Sequence, residues 1–184
     1  MSATISADPL AFSTGLLIGR VVLGSGLAAH GAQKLFGWFG GYGLDATSGA
    51  FGSLGFRPGR VFALAAGATE FTGGILVTLG LLGPIGPALM LSVMVVAALA
   101  VHWPQGFFAQ NNGVELPLLY GVGAIVLALT GPGLWSLDAL FGLRALSQPG
   151  VELGILLAGL AGGIANVLAR RPAQPLTEAS PQRG

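Results

Sequence analysis

Residues 10–29 read LAFSTGLLIGRVVLGSGLAA, an apolar run broken by one charge, Arg20. A helix needs about 20 mainly apolar residues to cross the hydrocarbon of a bilayer, and this stretch supplies them. The rest of the chain has the same character. Of its 184 residues 53% are hydrophobic and only 8% charged, with a mean hydropathy of +0.78. A soluble domain carries roughly a quarter charged residues, so these few cannot cover a water-facing surface, and the solvent implied is lipid. The polar segment Met1 to Pro9 lacks the basic start of a cleaved signal peptide, so the first run reads as a retained helix.

Four further runs follow. One spans about Val61 to Leu82 and carries Glu70; Ile85 to Val101 has no charge; about Leu116 to Thr130 is shorter; about Val151 to Ala169 follows a linker with Arg144 and Pro149. Gly83-Pro84 marks a tight hairpin, and Gly131-Pro132-Gly133 ends the fourth run. The fold expected is all-α, a polytopic membrane helix bundle. Residues 1–150 form its core with interfacial loops, 151–169 an additional transmembrane helix, and 170–184 a polar, disordered tail. The long connection His30 to Arg60 is rich in glycine and aromatics. It reads as an interfacial belt or a cap over a pocket mouth, with a short interfacial helix expected over Ala50 to Phe56. Gly15 with Gly19, and Gly159 with Gly163, have the spacing that lets helix backbones approach, within the bundle or in a homo-oligomer. With five spans, Lys34, Arg57, Arg60, Arg170, Arg171 and Arg183 lie on one side and Arg144 on the other. The positive-inside rule then puts the C-terminus in the cytoplasm.

Several chemistries are excluded or disfavoured. The chain has no cysteine, which removes disulfides, thiolate metal sites and dithiol redox chemistry. Its basic residues are few and scattered, so no nucleic-acid footprint exists. Two histidines, His30 and His102, are too few for a dihaem protein and sit near the interface, which disfavours haem. His30, His102 and Glu115 are metal-ligand types without ligand spacing, and no metal is assigned.

The remaining candidates are polar residues in or near the spans. An ionised side chain at the bilayer centre costs about 2.5 kcal/mol or more, so Arg20 and Glu70 are expected to face inward. Each lies about halfway along its run, and antiparallel neighbours would place them at one depth as a buried ion pair. His30 and Lys34 are one helical turn apart, and Arg20, Leu27 and Lys34 fall on one heptad line. His102 and Trp103 close the third run and Glu115 opens the fourth, bringing these residues to one membrane face. The connecting loop Trp103 to Gly113 mixes aromatics with amides.

These phrases, taken in order, resemble the DoxX family of small bacterial membrane proteins. They are Arg20, then His30-Gly31-Ala32-Gln33-Lys34-Leu35-Phe36-Gly37, Glu70-Phe71-Thr72-Gly73-Gly74, and His102-Trp103-Pro104-Gln105-Gly106-Phe107-Phe108. Gly113-Val114-Glu115, Gly131-Pro132-Gly133 and Ser136-Leu137-Asp138 follow. The resemblance covers about Leu16 to Asp138. It implies a four-helix core, to which Val151 to Ala169 adds a fifth helix, in the bacterial plasma membrane. It also implies redox work at the quinone pool, with quinone as the cofactor and a redox enzyme as partner subunit. On that reading Glu70 or His30 exchanges protons with a quinone ring and Arg20 or Lys34 steadies its oxygen. Phe36, Trp38 and Phe107 offer stacking faces, and His102 and Glu115 complete the ligand-binding set. The alternatives are a non-catalytic membrane anchor or assembly subunit for an oxidoreductase, and a small-solute transporter.

Overall fold

The computed structural model describes residues 8–143 and 145–171. Arg144 in the expected linker and residues 172–184 of the expected tail lie outside the described residues. Helix α1 runs from Pro9 to Phe36. Asp8 caps it by accepting from the Leu10 amide at 2.9 Å, Pro9 occupies the first turn, and Gly37 ends it at φ 73°. The hydropathy reading stopped at Ala29, but nothing breaks the helix before the left-handed glycine. At 1.5 Å per residue its 28 residues reach about 42 Å, well beyond a hydrocarbon layer of about 30 Å. His30 and Lys34 therefore ride on the helix.

Helix α2, Gly43–Ser53, replaces the short helix expected over Ala50 to Phe56. Asp45 sits in its first turn, where the helix dipole favours an acid, and the chain turns at Gly55 with φ 91°. Helix α3 spans Gly59–Leu79 and α4 Ile85–Ala97. The fourth helix continues as a π-turn, Ala98–His102, and a 3-10 turn, Trp103–Gln105. Helix α5 covers Glu115–Thr130, a short α6 covers Leu137–Phe141, and α7 runs Pro149–Leu168. Pro9–Phe36, Gly59–Leu79, Ile85–Gln105 and Pro149–Leu168 are long and apolar enough to cross a membrane, and α5 is a shorter apolar helix. The protein is an all-α, multi-pass membrane bundle.

Helices α1 and α3 pack antiparallel at backbone distance. A Cβ at Gly24 would strike Thr78, one at Gly31 the Phe71 backbone, and one at Gly74 the Ala28 backbone. Helix α4 is the hub, touching α3, α5 and α7. It runs parallel to α7, with Gly159 against Ala88 and Gly163 against Ser92. That glycine pair is thus consumed inside the bundle. Among the described residues nothing lies within 4 Å of a Cβ built at Gly15. The shared core is Leu27, Met90, Leu91, Met94, Ala124, Leu127 and Leu156. Ile18, Val22, Leu119 and Leu157 point outward and are more than half exposed, as a face solvated by acyl chains requires.

The register of α1 on α3 overturns one expectation: Arg20 does not pair with Glu70. Arg20 lies against Gly80, ten residues beyond Glu70 and hence about 15 Å further along α3. The continuation of α1 through Lys34 moves the turn and slides one helix against the other. Arg20 instead donates to the carbonyls of Trp135 at 2.5 Å and Thr78 at 3.4 Å. Close by, Asp138 accepts from the amides of Leu82 at 2.8 Å and Gly83 at 2.6 Å. Ser136 caps α6 at the Ala139 amide, and Ser13 accepts from the Leu134 amide. This knot fastens α1, the α3–α4 hairpin and the loop after α5 at one end of the bundle.

Candidate functional site

The partner of Glu70 is Lys34. Their charged groups form an ion pair on the antiparallel α1 and α3, because the register that sets Gly31 beside Phe71 also brings Lys34 to Glu70. Glu70 is buried, while the Lys34 side chain is 28% exposed. Such a pair survives out of water only when the two charges meet and hydrogen-bond. It is therefore strong evidence of a built polar position, and weak evidence of stability for its own sake.

The pair forms one wall of a partly open cavity of about 240 Å³. Thr69 stands beside it on α3; Phe51, Phe56 and Phe62 line it from α2, the following loop and the start of α3. The rings of Phe56 and Phe62 are 5.3 Å apart, and those of Phe51 and Phe56 5.4 Å. A second wall carries Ser92 and His102 from α4 and its π-turn, and Asn166 from α7. A cavity below the roughly 300–1,000 Å³ of a drug-sized site has room for one ring with small substituents; a longer molecule must extend through the opening.

His102 is the titratable group on that second wall. Its Nδ1 lies 2.6 Å from the Asn112 carbonyl. A carbonyl only accepts, so the neutral ring carries its proton on Nδ1 and leaves Nε2 as an acceptor. The loop supplying Asn112 is folded by Glu115, whose carboxylate accepts from the Ala109 amide at 2.8 Å. The Val114 and Glu115 amides donate to Gly106 and Phe107. Glu115 thus reaches the cavity only through His102.

The other sequence candidates are placed elsewhere. His30 faces Tyr120 on α5, ring centroids 6.5 Å apart, and its Nδ1 is 3.2 Å from Gln33. Phe36 packs on Trp38 and Phe71. Trp38 and Phe71 line a separate apolar groove with Ser25, Ala29 and Ala32. Phe107 stacks edge-on with Phe108 and is half exposed. Arg20 belongs to the far knot. Among the described residues no three His, Asp or Glu side chains gather as a metal-ligand set.

Sequence reasoning passed over Thr69, Ser92, Asn166 and the three cavity phenylalanines. Asn166 carried a usable signal, as a side-chain amide within an otherwise apolar run. Of two more buried acids, Asp138, in the knot, stood in a family phrase without a role, and Glu152, on the first turn of α7, was passed over.

No curated protein and no solved structure matches this chain. The DoxX family model matches residues 15–103. The match takes in Lys34, Glu70 and His102, and it stops before Glu115, Ser136, Asp138 and the whole of α7. Residues 15–103 thus carry the chain's similarity to the DoxX family.

Proposed function

We propose that the cavity binds a quinone headgroup and that the protein is the membrane subunit of a quinone-linked oxidoreductase of the bacterial plasma membrane. The observation that carries this reading is the Lys34–Glu70 pair set in the wall of an aromatic-lined cavity that His102 also lines. A bound quinone takes up two electrons and two protons, the electrons coming from a partner redox subunit. The chain's residues handle charge and protons. Lys34 donates to a ring oxygen and steadies the negative charge that develops there, an interaction stronger in a cavity than in water. Glu70 and the Nε2 of His102, both lining the cavity, would each take up a proton from water and pass it to a ring oxygen. Phe51, Phe56 and Phe62 would hold the ring and exclude water, and a tail longer than the cavity would have to extend through its opening. Lys34, Arg57, Arg60, Arg170 and Arg171 lie towards the cavity's end of the bundle, a bias that by the positive-inside rule supports a cytoplasmic site.

Gly159 and Gly163 pack on α4 rather than offering a face to a partner, which weighs against the anchor alternative. The test is to extract lipid from protein purified in native-lipid particles, assay it for quinone, and titrate the protein with a short-chain quinone analogue. Wild type is expected to carry quinone, and Lys34→Met to bind the analogue about 10- to 100-fold more weakly, the worth of one charge-assisted hydrogen bond. Absence of both bound quinone and analogue binding, in particles that retain native partners, would overturn the proposal.

A further inference from the structure

The π-turn at Ala98–His102 has a local cause in the sequence. In a regular α-helix the Ala100 carbonyl would accept from the amide of residue 104. That residue is Pro104, which has no N–H and whose ring crowds the preceding turn. The helix widens there, the Trp103 amide bonding back to Ala98 five residues earlier. Ala100 itself is buried, so water does not readily satisfy its carbonyl, and a buried unpaired carbonyl is costly. The donor comes from another helix. Arg170, just beyond α7, donates from Nη1 to the Ala100 carbonyl at 3.3 Å.

We infer that Arg170 is a positioning residue for the cavity: it supplies the donor that Pro104 removes and so holds the π-turn that presents His102. Three neighbouring facts tie this contact to the site. His102 is the last residue of the π-turn and lines the cavity; Asn166, one helical turn before Arg170, lines it too. The amide of Arg171 donates to the Gly55 carbonyl at 2.8 Å, next to the cavity's Phe56. Among the described residues the buried Nε of Arg170 has no protein partner, so the guanidinium is no solvated terminal charge. The appended helix therefore completes the site of a domain that its sequence match does not include. π-turns recur where a helix must re-aim a functional side chain, and here the shape of the turn is set from outside its own helix.

The inference rests on the reading that the cavity binds a ring beside His102, yet its structural half is testable without any ligand. Protein labelled with ¹⁵N-histidine shows two ring systems, since the chain has two histidines, and His30→Gln assigns them. The His102 Nδ1 proton, bonded to the Asn112 carbonyl at 2.6 Å, is expected to exchange with water more slowly than a ring proton of His30, whose contact with Gln33 is 3.2 Å. In Arg170→Ala that exchange should accelerate about 10-fold, and the short-chain quinone analogue should bind about 10-fold more weakly, the order expected for one lost charge-assisted hydrogen bond. Pro104→Ala restores an amide at position 104. In the Arg170→Ala/Pro104→Ala protein both quantities should return to within about 2-fold of Pro104→Ala alone, the scatter normal for uncoupled sites. Arg170→Lys keeps a donor and should fall between wild type and Arg170→Ala. Should Arg170→Ala fail to fold, recovery of folding by Pro104→Ala supports the same link. Unchanged His102 exchange in folded Arg170→Ala would overturn the inference, as would failure of Pro104→Ala to rescue it. If the exchange data follow this pattern while no protein binds the analogue, the quinone reading fails and the coupling between the helices stands.

Discussion

Replacing Lys34 by methionine isolates the energetics of the cavity wall. Methionine keeps most of the aliphatic stem and removes the ammonium, which leaves the Glu70 carboxylate, 6% exposed, without its partner. Removing one member of a buried ion pair typically costs about 3–5 kcal/mol, whereas replacing both with apolar groups of similar size is often neutral or stabilising. Lys34 is about a quarter exposed, so some water reaches the pair and the low end, about 3 kcal/mol, applies. A chain of this size changes its melting temperature by roughly 2–4 °C per kcal/mol, so Lys34→Met should melt about 6–12 °C lower. Glu70→Met alone should lose less, because the longer, partly exposed lysine can swing its charge to the interface. The double variant Lys34→Met/Glu70→Met should recover most of the loss and yet bind no quinone analogue. Thermal unfolding of the four proteins in one lipid particle closes the cycle. Lys34→Met as stable as wild type, or a double variant as unstable as the two single losses added together, would refute the claim that these charges meet in a buried wall.

Other consequences of the packing can be checked in the same particles. Gly31→Leu should destabilise strongly or abolish folding because its side chain would enter the Phe71 backbone, while Gly15→Ala, with nothing within 4 Å, should lie within about 0.5 kcal/mol of wild type. Asp138→Ala removes the acceptor for the amides of Leu82 and Gly83; a loss of about 3 kcal/mol is expected, read as a lower melting temperature with quinone binding retained near neutral pH. Glu115→Ala frees the Ala109 amide, so hydrogen exchange across residues 106–115 should accelerate, while Glu115→Gln, which keeps an acceptor, should restore most of the protection.

The bundle was legible because lipid imposes a simple rule on composition and run length, and each expected span has a helix over it. Single residues were harder. Lys34 and Glu70 both stood out as charges in apolar surroundings, but their pairing depends on the stagger of α1 against α3. That stagger is set by Gly24, Gly31 and Gly74, which allow backbone contact, and by the continuation of α1 to the left-handed Gly37. Hydropathy ends α1 at Ala29, and from that boundary Arg20 takes the place beside Glu70 that Lys34 holds. His30 and His102 read alike in the sequence, yet one faces Tyr120 and the other the cavity, since a helix face cannot be chosen until its neighbours are known. Asn166 and Arg170 lie far along the chain from the cavity's other residues. Only the parallel packing of α7 on α4, through Gly159 and Gly163, carries them there.

The central claim, that a quinone headgroup occupies the cavity between α3, α4 and α7, is tested most directly with a photoreactive short-chain quinone. The protein is labelled in native-lipid particles and the labelled peptides are mapped by mass spectrometry, with and without excess unlabelled quinone. Labelling should concentrate on Phe62, Thr69 and the π-turn up to His102, and the competitor should suppress it. Labelling confined to the lipid-facing groove near Ser25, Ala32 and Trp38, or labelling of the cavity that the competitor leaves unchanged, would contradict the account.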